Sequence, residues 1–445
     1  MNQKLNQKEF AVVSIFSGAG GLDVGLMNAG FHVDLAIEWE QVACDTYQAN
    51  HPNSIVWCRD IRTVTGDEIR KVVGNRKIIL AGGSPCQSFS DFQNERAGSK
   101  KGLEDERGQL VFDYVRLVKE LQPVCVVFEN VENLVTQHIH SFNLFKEHLL
   151  KISGLSVSYK VLNSLDFGVA QQRKRVFLVG IRKGLDDPLA KLRPINGPKT
   201  LREALVNVPD SEYATFDPKS EQIMKMIPEG KCWNVLPNHI AMKALGKDYR
   251  AVCRSCNTTF KPQYQQNCPK CGSSDFKNGY GVTSYYRRLS WDKPSPTLCA
   301  VGVVKPHGAM GHPDFNRGLS ISEAKRVMGF PDHYVLKGTL AQQYRQLGNA
   351  VTPPVAKAIG SAILEVLQNN NRFSNEGIGK ANTGVKECLD KLIQHPLRAW
   401  LTSLEKDFLG TLYKRVMNGE QISDRHIVYL KETYMKLERI SKFIA

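Results

Sequence analysis

The chain lacks the features of a membrane or exported protein. No stretch approaches the ~18 apolar residues that a membrane-spanning helix needs, and the first residues, MNQKLNQKEFAVVSIF, lack the charged leader and apolar core of an export signal. We therefore expect a cytosolic protein with no membrane contact. Its 11 cysteines in 445 residues do not indicate a disulfide framework, so each is expected to be a reduced thiol, a metal ligand or a nucleophile.

Acidic residues are in deficit. The chain has 59 Lys and Arg against 44 Asp and Glu, a net charge of +15. Such an excess favours a polyanionic partner, because Lys and Arg neutralise phosphate; ordinary solubility is the competing explanation. A hydrophobic fraction of 42% and a charged fraction of 23% are typical of a soluble globular protein, and the length suggests two or three domains.

Apolar runs bounded by small residues recur in the first part of the chain. They are AVVSIF (11–16), VDLAIE (33–38), KIILAGG (77–83), VCVVFEN (124–130) and RVFLVGI (175–181), and helical patterns such as GQLVFDYVRLVKEL lie between several of them. Continuous apolar strands that alternate with helices indicate a parallel sheet covered on both faces. We predict an α/β, doubly wound, Rossmann-like fold.

The pattern changes along the chain. Strong periodicity ends near residue 182, returns after about 286 and gives way to a polar stretch with a linker's composition. The predicted divisions are an α/β part (1–182), an irregular region (183–286), a return of ordered segments (287–367), a linker (368–384) and a helical extension (385–445).

A glycine-rich turn, FSGAGGLDVGL, follows the first strand. Gly18, Gly20 and Gly21 allow a tight turn and close approach of a ligand, and the following helix offers free N–H groups. No P-loop lysine follows, so a ligand with a ribose but no triphosphate fits better. Glu38, at the end of the second strand, can accept the ribose hydroxyls.

Two further residues are placed near such a ligand. Trp39 can cover an adenine face; ordinary core packing is the alternative. Asp60, in CRDI, lies where a third strand would end and can accept from an adenine amine.

The stretch LAGGSPCQSFSDFQ (80–93) places Cys86 at the carboxyl end of a strand, where open α/β sheets bind ligands. Pro85 fixes the backbone before it, and the polar sequence through Arg107 predicts a mobile loop. A thiol there is exposed enough to act as a thiolate, whereas a structural cysteine would lie inside an apolar run, as Cys125 does. Position alone leaves both interpretations open.

Charged side chains flank two other strands. Glu129 ends the strand VCVVF, where it could supply the acid that accompanies a cysteine nucleophile; a capping carboxylate is the alternative. Arg173 and Arg175 are two residues apart before a strand and point the same way. They can hold a phosphate or a base, or form a solvated basic turn.

Cys253-x2-Cys256 and Cys268-x2-Cys271, with 11 residues between the pairs, predict a four-cysteine zinc ribbon at about 250–275. Unliganded thiols are the alternative. Its tip, NTTFKPQYQQN, has one Lys and two aromatic residues, which favours a bracing role over contact with a polyanion.

Six stretches, in order, resemble the motifs of the DNA (cytosine-5) methyltransferase family. They are FSGAGGL, GGSPCQSFS, ENV, QQRKR, RRLSWDKPSPTL and QLGNAVTPP, and the resemblance covers about residues 11–367. It implies a DNA (cytosine-5-)-methyltransferase with S-adenosylmethionine as cofactor and duplex DNA as substrate. It also implies that region 183–286 is a target-recognition domain and that 287–367 returns to the catalytic domain.

The resemblance also implies a mechanism. Cys86 adds to C6 of a flipped-out cytosine, Glu129 binds N3 and the amino edge, and C5 accepts the methyl group. Arg173 and Arg175 orient Cys86, the base and its phosphate; the base that removes the C5 proton is not identified. The implied cofactor-binding residues are Phe16, Gly18, Gly20, Gly21, Leu22, Glu38, Trp39, Asp60, Pro85 and Asn349.

The biological role implied is protection of host DNA in a restriction-modification system. We expect a monomer, with the extension 385–445 as the alternative contact surface. Two competing hypotheses are an RNA cytosine methyltransferase with the same motifs and a catalytically silent DNA-binding regulator. An enzyme acting on exocyclic amines would carry a proline-rich aromatic motif in place of Pro85-Cys86, and none is found.

Overall fold

The computed structural model describes residues 9–84, 110–194, 197, 199–246, 249–262, 266–279, 285–299 and 310–375, with 389, 390, 392, 401, 406, 409–414, 430 and 433. The predicted nucleophile Cys86 and its neighbour Pro85 lie outside the described residues. The chain forms two compact units, one of residues 1–183 with 187–364 and one of 184–186 with 365–445.

A seven-stranded sheet forms the centre of the first unit. Its strands are β1 (Phe10–Ile15), β2 (Val33–Glu38), β3 (Ile55–Cys58), β4 (Lys77–Gly82), β5 (Cys125–Val131), β6 (Leu155–Asn163) and β7 (Lys174–Arg182). The order is β3-β2-β1-β4-β5-β7-β6. The mixed α/β fold with a large parallel sheet is thereby confirmed.

The last predicted strand, RVFLVGI (175–181), was expected to be parallel to the others, and this expectation was wrong. β7 pairs antiparallel with both β5 and β6, while β3, β2, β1, β4 and β5 are parallel. The connection from β6 to β7 contains only a 3₁₀ turn, Ser164–Phe167, and a parallel crossover needs a dozen or more residues. β6 has no predicted counterpart, because it lies at the sheet edge and is only partly buried.

Helices follow most of the strands. Those along the sheet-forming part are α1 (Gly21–Asn28), α2 (Gln41–Asn50), α3 (Gly66–Val73), α4 (Leu110–Leu121), α5 (Asn133–Thr136) and α6 (Ile139–Ser153). One core cluster joins β-strand residues such as Val13 and Leu80 to Tyr114 and Phe142 of the helices. This burial fixes the register of the sheet and hence the relative positions of its strand ends.

The elements that follow β7 are mostly short, except for the last helix, which begins in the first unit and extends into the second. They are α7 (Leu201–Ala204), β8 (Tyr213–Thr215), α8 (Pro218–Lys225), α9 (Asn238–Leu245), β9 (Ala251–Cys253), β10 (Thr259–Phe260), β11 (Phe276–Asn278), β12 (Arg317–Ser320), α10 (Ile321–Met328), α11 (Leu340–Asn349) and α12 (Pro353–Asn375). β10-β9-β11 and β12-β8 form two small antiparallel sheets. α12 continues to Asn375, so the first part of the predicted linker 368–384 is helical.

Helix α12 packs tightly on α1. A Cβ built on Gly25 would lie 2.3 Å from Cβ of Ala356, and one on Gly360 would lie 2.8 Å from Cβ of Ala29. In the described residues, one helical stretch, Leu340–Asn369, is apolar and long enough to cross a membrane, and 67% of its most apolar window is buried in the protein. A core helix passes the same test, and the packing of α12 on α1 identifies the α12 part of this stretch as one.

Candidate active site

The strand order reverses between β1 and β4, and the residues that follow the carboxyl ends of β1, β2, β4 and β5 gather at this edge. Such an edge is where open α/β sheets bind ligands. Glu38 ends β2 and reaches the glycine-rich turn after β1: its Oε2 accepts from the Gly18 N–H at 2.9 Å. Its Oε1 accepts from the N–H groups of Trp39 at 2.9 Å and Glu40 at 3.0 Å. A carboxylate offers about four acceptor positions, so Glu38 keeps capacity for a ligand hydroxyl.

The three glycines have different surroundings. A Cβ built on Gly18 would meet nothing within 4 Å, so this glycine, at φ +53, faces open space. A Cβ on Gly20 would lie 2.8 Å from the Tyr334 hydroxyl, and one on Gly21 would lie 2.2 Å from the carbonyl oxygen of Val351. Packing inside the protein therefore excludes side chains at Gly20 and Gly21, whereas ligand approach can account for Gly18.

Phe16 has a left-handed backbone, with φ +55, and packs partly buried against the core of the sheet. A bulky residue in this region is unusual, and such conformations concentrate at functional sites. Leu22, in the first turn of α1, is buried.

Trp39, directly after β2, and Asp60, after β3, have different surroundings. Trp39 is 71% exposed, which excludes the alternative of core packing. Asp60 follows β3, as expected, but both of its oxygens accept from the Arg62 guanidinium, which lowers the pKa of that carboxyl. If Asp60 also accepts from an adenine amine, its carboxylate is shared between that amine and Arg62.

The backbone leading to Cys86 is held against Glu129 and Asn130 at the end of β5. The Asn130 Nδ2 donates to the carbonyl oxygen of Ser84 at 3.2 Å. A Cβ built on Gly83 would lie 2.6 Å from the carbonyl oxygen of Glu129. The predicted acid therefore lies beside the segment that carries the predicted nucleophile. Asn130 was not predicted as a site residue, although it is the second residue of the ENV stretch.

Glu129 is paired with one of the two predicted arginines. The Nε of Arg175 lies 3.2 Å from Oε1 of Glu129, with both side chains mostly buried. Burial raises the pKa of Glu129, while Arg175 and Arg173 act in the opposite direction. A carboxyl with a raised pKa is suited to hold or donate a proton.

Arg173 has a different environment from Arg175. It is 1% exposed, and its guanidinium donates to the carbonyl oxygens of Leu298 at 3.3 Å, Gly348 at 2.9 Å and Ala350 at 2.9 Å. These bonds fix the backbone on both sides of Asn349, which is itself exposed. Arg173 thus positions the segment that carries Asn349.

Sequence reasoning missed a set of contacts between α2 and the segment after α10. The hydroxyl of Tyr334 donates to the carbonyl oxygen of Ala19 at 2.6 Å and lies 3.1 Å from Nε2 of His51. Asn50 exchanges two hydrogen bonds with the backbone of Val335, at 2.7 and 2.8 Å. We call these the Tyr334 latch; it holds the glycine-rich turn against the later part of the chain.

A buried carboxyl lies beneath the same turn. Asp23, in α1, is 0% exposed and accepts from the Ser14 hydroxyl at 2.9 Å. Burial raises its pKa from 3.8 to about 6. An aspartate in an otherwise apolar helix segment is the signal that could have identified it.

The four predicted ligand cysteines are together. All four Sγ atoms lie within 4.8 Å of one another, with Cys253 and Cys271 at 3.5 Å and Cys256 and Cys268 at 3.4 Å. Tetrahedral thiolate zinc, with Zn–S near 2.3 Å, places sulfurs about 3.8 Å apart. The side-chain arrangement therefore fits such an ion.

The two turns that carry the cysteines, residues 253–258 and 268–273, have nearly the same backbone hydrogen bonds, and we call them the cysteine turns. Asn257 N–H donates to Cys253 O at 3.0 Å as Gly272 N–H donates to Cys268 O at 2.9 Å. Both donors have left-handed backbones, at φ +58 and +73. Cys253 N–H donates to Thr258 O and Cys268 N–H to Ser273 O, at 3.0 and 2.9 Å. This repeated geometry presents two thiols from each turn to a common point.

Comparisons with known proteins agree with the motifs. Residues 10–365 match the family described as C-5 cytosine-specific DNA methylase. The Type II methyltransferase M.Sau96I of Staphylococcus aureus is 33% identical over 376 residues, covering 82% of this chain and 78% of that protein. The Type II methyltransferase M.PspPI of Psychrobacter sp. is 34% identical over 370 residues, covering 81% and 80%.

Solved structures show the same fold. A candidate DNA modification methyltransferase encoded within a prophage of E. coli superposes with a TM-score of 0.56 at 24% identity, covering 81% of this chain and 100% of that one.

Proposed function

The chain belongs to the C-5 cytosine-specific DNA methylase family and is a DNA (cytosine-5) methyltransferase, and we propose that it works through covalent attack by Cys86 on a cytosine flipped out of duplex DNA. One observation carries this proposal. Gly83 and Ser84, which lead into Cys86, contact Glu129 and Asn130, so an acid lies beside the entry to the nucleophile.

The cofactor proposed is S-adenosylmethionine. The residues that would hold it fit: Gly18 faces open space, Glu38 retains acceptor capacity, and Trp39 offers an exposed ring. Phe16, Leu22, Asp60, Pro85 and Asn349 remain proposed members of the same pocket. When bound, this group supplies an electrophilic methyl on a sulfonium.

The reaction proposed for the protein's own residues conserves atoms and charge. The Cys86 thiolate forms a bond to C6 while Glu129 protonates or hydrogen-bonds N3, which makes C5 nucleophilic. After C5 has accepted the methyl group, a base removes the C5 proton, the C6–S bond breaks and any proton on N3 returns to Glu129, which restores the ring, the thiolate and the acid. Arg175 holds Glu129 in place, and Arg173 fixes the segment of Asn349.

The target cytosine would have to leave the stack, because its C6 is inaccessible inside a duplex. The net charge of +15 supports a polyanionic substrate. We assign sequence recognition to region 183–286 and, from the Type II relatives, a protective role in a restriction-modification system. A cytosolic, monomeric protein is part of the same proposal.

The second proposal concerns zinc. The matched turns and the mutual distances of Cys253, Cys256, Cys268 and Cys271 support one structural zinc ion. Metal analysis of protein purified without added zinc should find about one zinc per chain, and a zinc chelator should raise the number of titratable thiols by four. Metal-free protein whose four thiols react without chelator would contradict this proposal.

The test of the main proposal uses 5-fluorocytosine, since fluorine cannot leave C5 as a proton does. Wild-type and Cys86→Ala proteins are incubated with S-adenosylmethionine and a pool of unmethylated duplexes of varied sequence that contain this base. A denaturation-resistant protein–DNA complex should form with the wild type and be absent with Cys86→Ala. Trapping with Cys86→Ala would remove Cys86 as nucleophile, and trapping only on folded RNA would favour the RNA methyltransferase.

A further inference from the structure

The region proposed for target recognition has a hydrophobic core of its own. This second core contains Trp233 and Tyr249, both 0% exposed, together with residues of α8 and α9. Two of the four clustered cysteines, Cys253 and Cys268, are buried in it at 1% and 3% exposure. The sulfur cluster, formed by the four cysteine side chains, is thus packed into this core and does not form a separate unit.

Polar contacts connect the cysteine turns to the helical part of the region. The Nδ2 of Asn278, in β11, donates to the carbonyl oxygens of Asn234 at 3.1 Å and Leu236 at 2.6 Å. Its Oδ1 accepts from the Tyr249 hydroxyl at 2.8 Å. Asn238, at the start of α9, donates to the carbonyl oxygen of Phe276 at 2.9 Å.

The strands of this region are too short to hold the core by themselves. β9, β10 and β11 have 3, 2 and 3 residues, whereas independently stable sheets need longer strands and a larger apolar face. A metal ion supplies such a small unit with the stabilisation that its own burial does not provide.

The region is tied to the rest of the first unit at a different place. The buried Arg288 guanidinium donates to Met224 O at 2.6 Å and Ile227 O at 2.7 Å on one side. On the other side it donates to His312 O at 3.1 Å and Phe315 O at 3.0 Å. These bonds do not pass through the cysteine turns, so the catalytic part can keep its structure when the cysteine turns lose theirs.

We propose that zinc at Cys253, Cys256, Cys268 and Cys271 is the internal brace of the DNA-recognition core, so that metal occupancy determines DNA binding while cofactor binding is independent of it. The inference rests on the proposed function, which assigns DNA recognition to this region. The brace acts through the packed core and not through direct contact between the cysteine turns and DNA.

The test compares two serine variants of the full chain. Cys268→Ser removes a buried ligand, and Cys232→Ser is the matched control, since Cys232 is buried in the same core but lies outside the sulfur cluster. DNA binding is measured by anisotropy with labelled fragments of unmethylated genomic DNA, and S-adenosylmethionine binding by calorimetry. Cys268→Ser should lose about tenfold or more in DNA affinity with cofactor affinity unchanged within about twofold, and Cys232→Ser should retain both.

Other outcomes overturn one proposal or the other. A wild-type protein that binds cofactor but neither binds nor methylates DNA contradicts the proposed function. DNA binding by Cys268→Ser at the wild-type level, loss of both ligands together, or equal loss in Cys232→Ser contradicts the brace.

Direct contact is tested with two exposed lysines of the cysteine turns and β11, Lys270 and Lys277. Substitution of each by alanine should leave the slope of log affinity against log salt unchanged. A fall of about one in that slope per lysine would indicate phosphate contact and overturn the bracing role.

Discussion

Gly83 lies so close to Glu129 that no side chain fits between them. A Cβ built on Gly83 would lie 2.6 Å from the carbonyl oxygen of Glu129 and 2.9 Å from its Oε2. The backbone that leads to Cys86, the proposed nucleophile, is therefore in contact with Glu129, the proposed acid. A change in the position of either one moves the other.

Substitution of Gly83 by alanine should displace Glu129. We expect turnover of methyl transfer to fall by about 10²-fold, because shifts near 1 Å in a catalytic group have effects of that size, while S-adenosylmethionine affinity is retained. The control is Gly180→Ala, which places the same methyl group 2.6 Å from Val126 Cγ2 inside the sheet. It should lower stability, and an equal loss of turnover in Gly180→Ala would contradict a specific effect on Glu129.

Arg175→Gln removes the partner that opposes the raised pKa of Glu129. The pKa of Glu129 should then rise further, because burial is no longer opposed by this cation. If the protonated carboxyl is the active form, the rate falls as pH rises through this pKa, so the alkaline limb of the pH–rate profile should move to higher pH. Glu129→Gln, which cannot titrate, should lose that limb; an unmoved limb in Arg175→Gln would assign it to another group.

Asp23→Asn should change how stability depends on pH. Burial raises the pKa of Asp23 from 3.8 to about 6, so between these values the folded state holds a proton that the unfolded state has released. The wild type therefore loses stability through this group as pH rises, by roughly 3 kcal/mol in total. Denaturation at several pH values should show the variant gaining stability relative to the wild type across pH 4 to 6 and no further change above 6.

His51, which belongs to the Tyr334 latch, affects the pH dependence of stability in the opposite direction to Asp23. Burial lowers the pKa of His51 from 6.5 to about 4, so its contribution to stability increases with pH in the same window. This contribution is present in both proteins and cancels in their difference. A difference that stays constant with pH would show that Asp23 is ionised throughout.

Tyr334→Phe should weaken cofactor binding without removing it. The variant loses the hydrogen bond to Ala19 O at 2.6 Å, which holds the glycine-rich turn, and we expect about a threefold to tenfold rise in the S-adenosylmethionine Kd. Tyr344→Phe is the matched control, because the Tyr344 hydroxyl is also buried but donates to Leu319 O. Equal effects of the two variants on the Kd would contradict the idea that the latch positions the glycine-rich turn for cofactor binding.

The sheet and its functional edge could be predicted because both leave local signals. Buried parallel strands are continuous apolar runs, and the side chain after each run lies at one edge. The spacing of Gly18 and Glu38 predicted a shared ligand, and the two residues are in contact. The spacing of the four cysteines likewise predicted that they share one site, and their sulfur atoms lie close together.

Other features leave no local signal. The direction of β7 depends on the length of its connection to β6, and β6 alternates polar and apolar residues at an edge. Arg173 is buried although most arginines are exposed, because backbone carbonyl groups from a distant segment surround it. The Tyr334 latch joins residues whose neighbours in sequence give no indication of the contact.

The Tyr334 latch joins residues 315 positions apart in the chain. During synthesis at about 5 to 20 residues per second, the strand that leads into the glycine-rich turn leaves the ribosome roughly 15 to 65 seconds before its latch. A nascent chain can form its first strands early, but the pocket is complete only after most of the polypeptide has been made. Chains released prematurely would thus be inactive, and methylation capacity would follow the number of finished molecules.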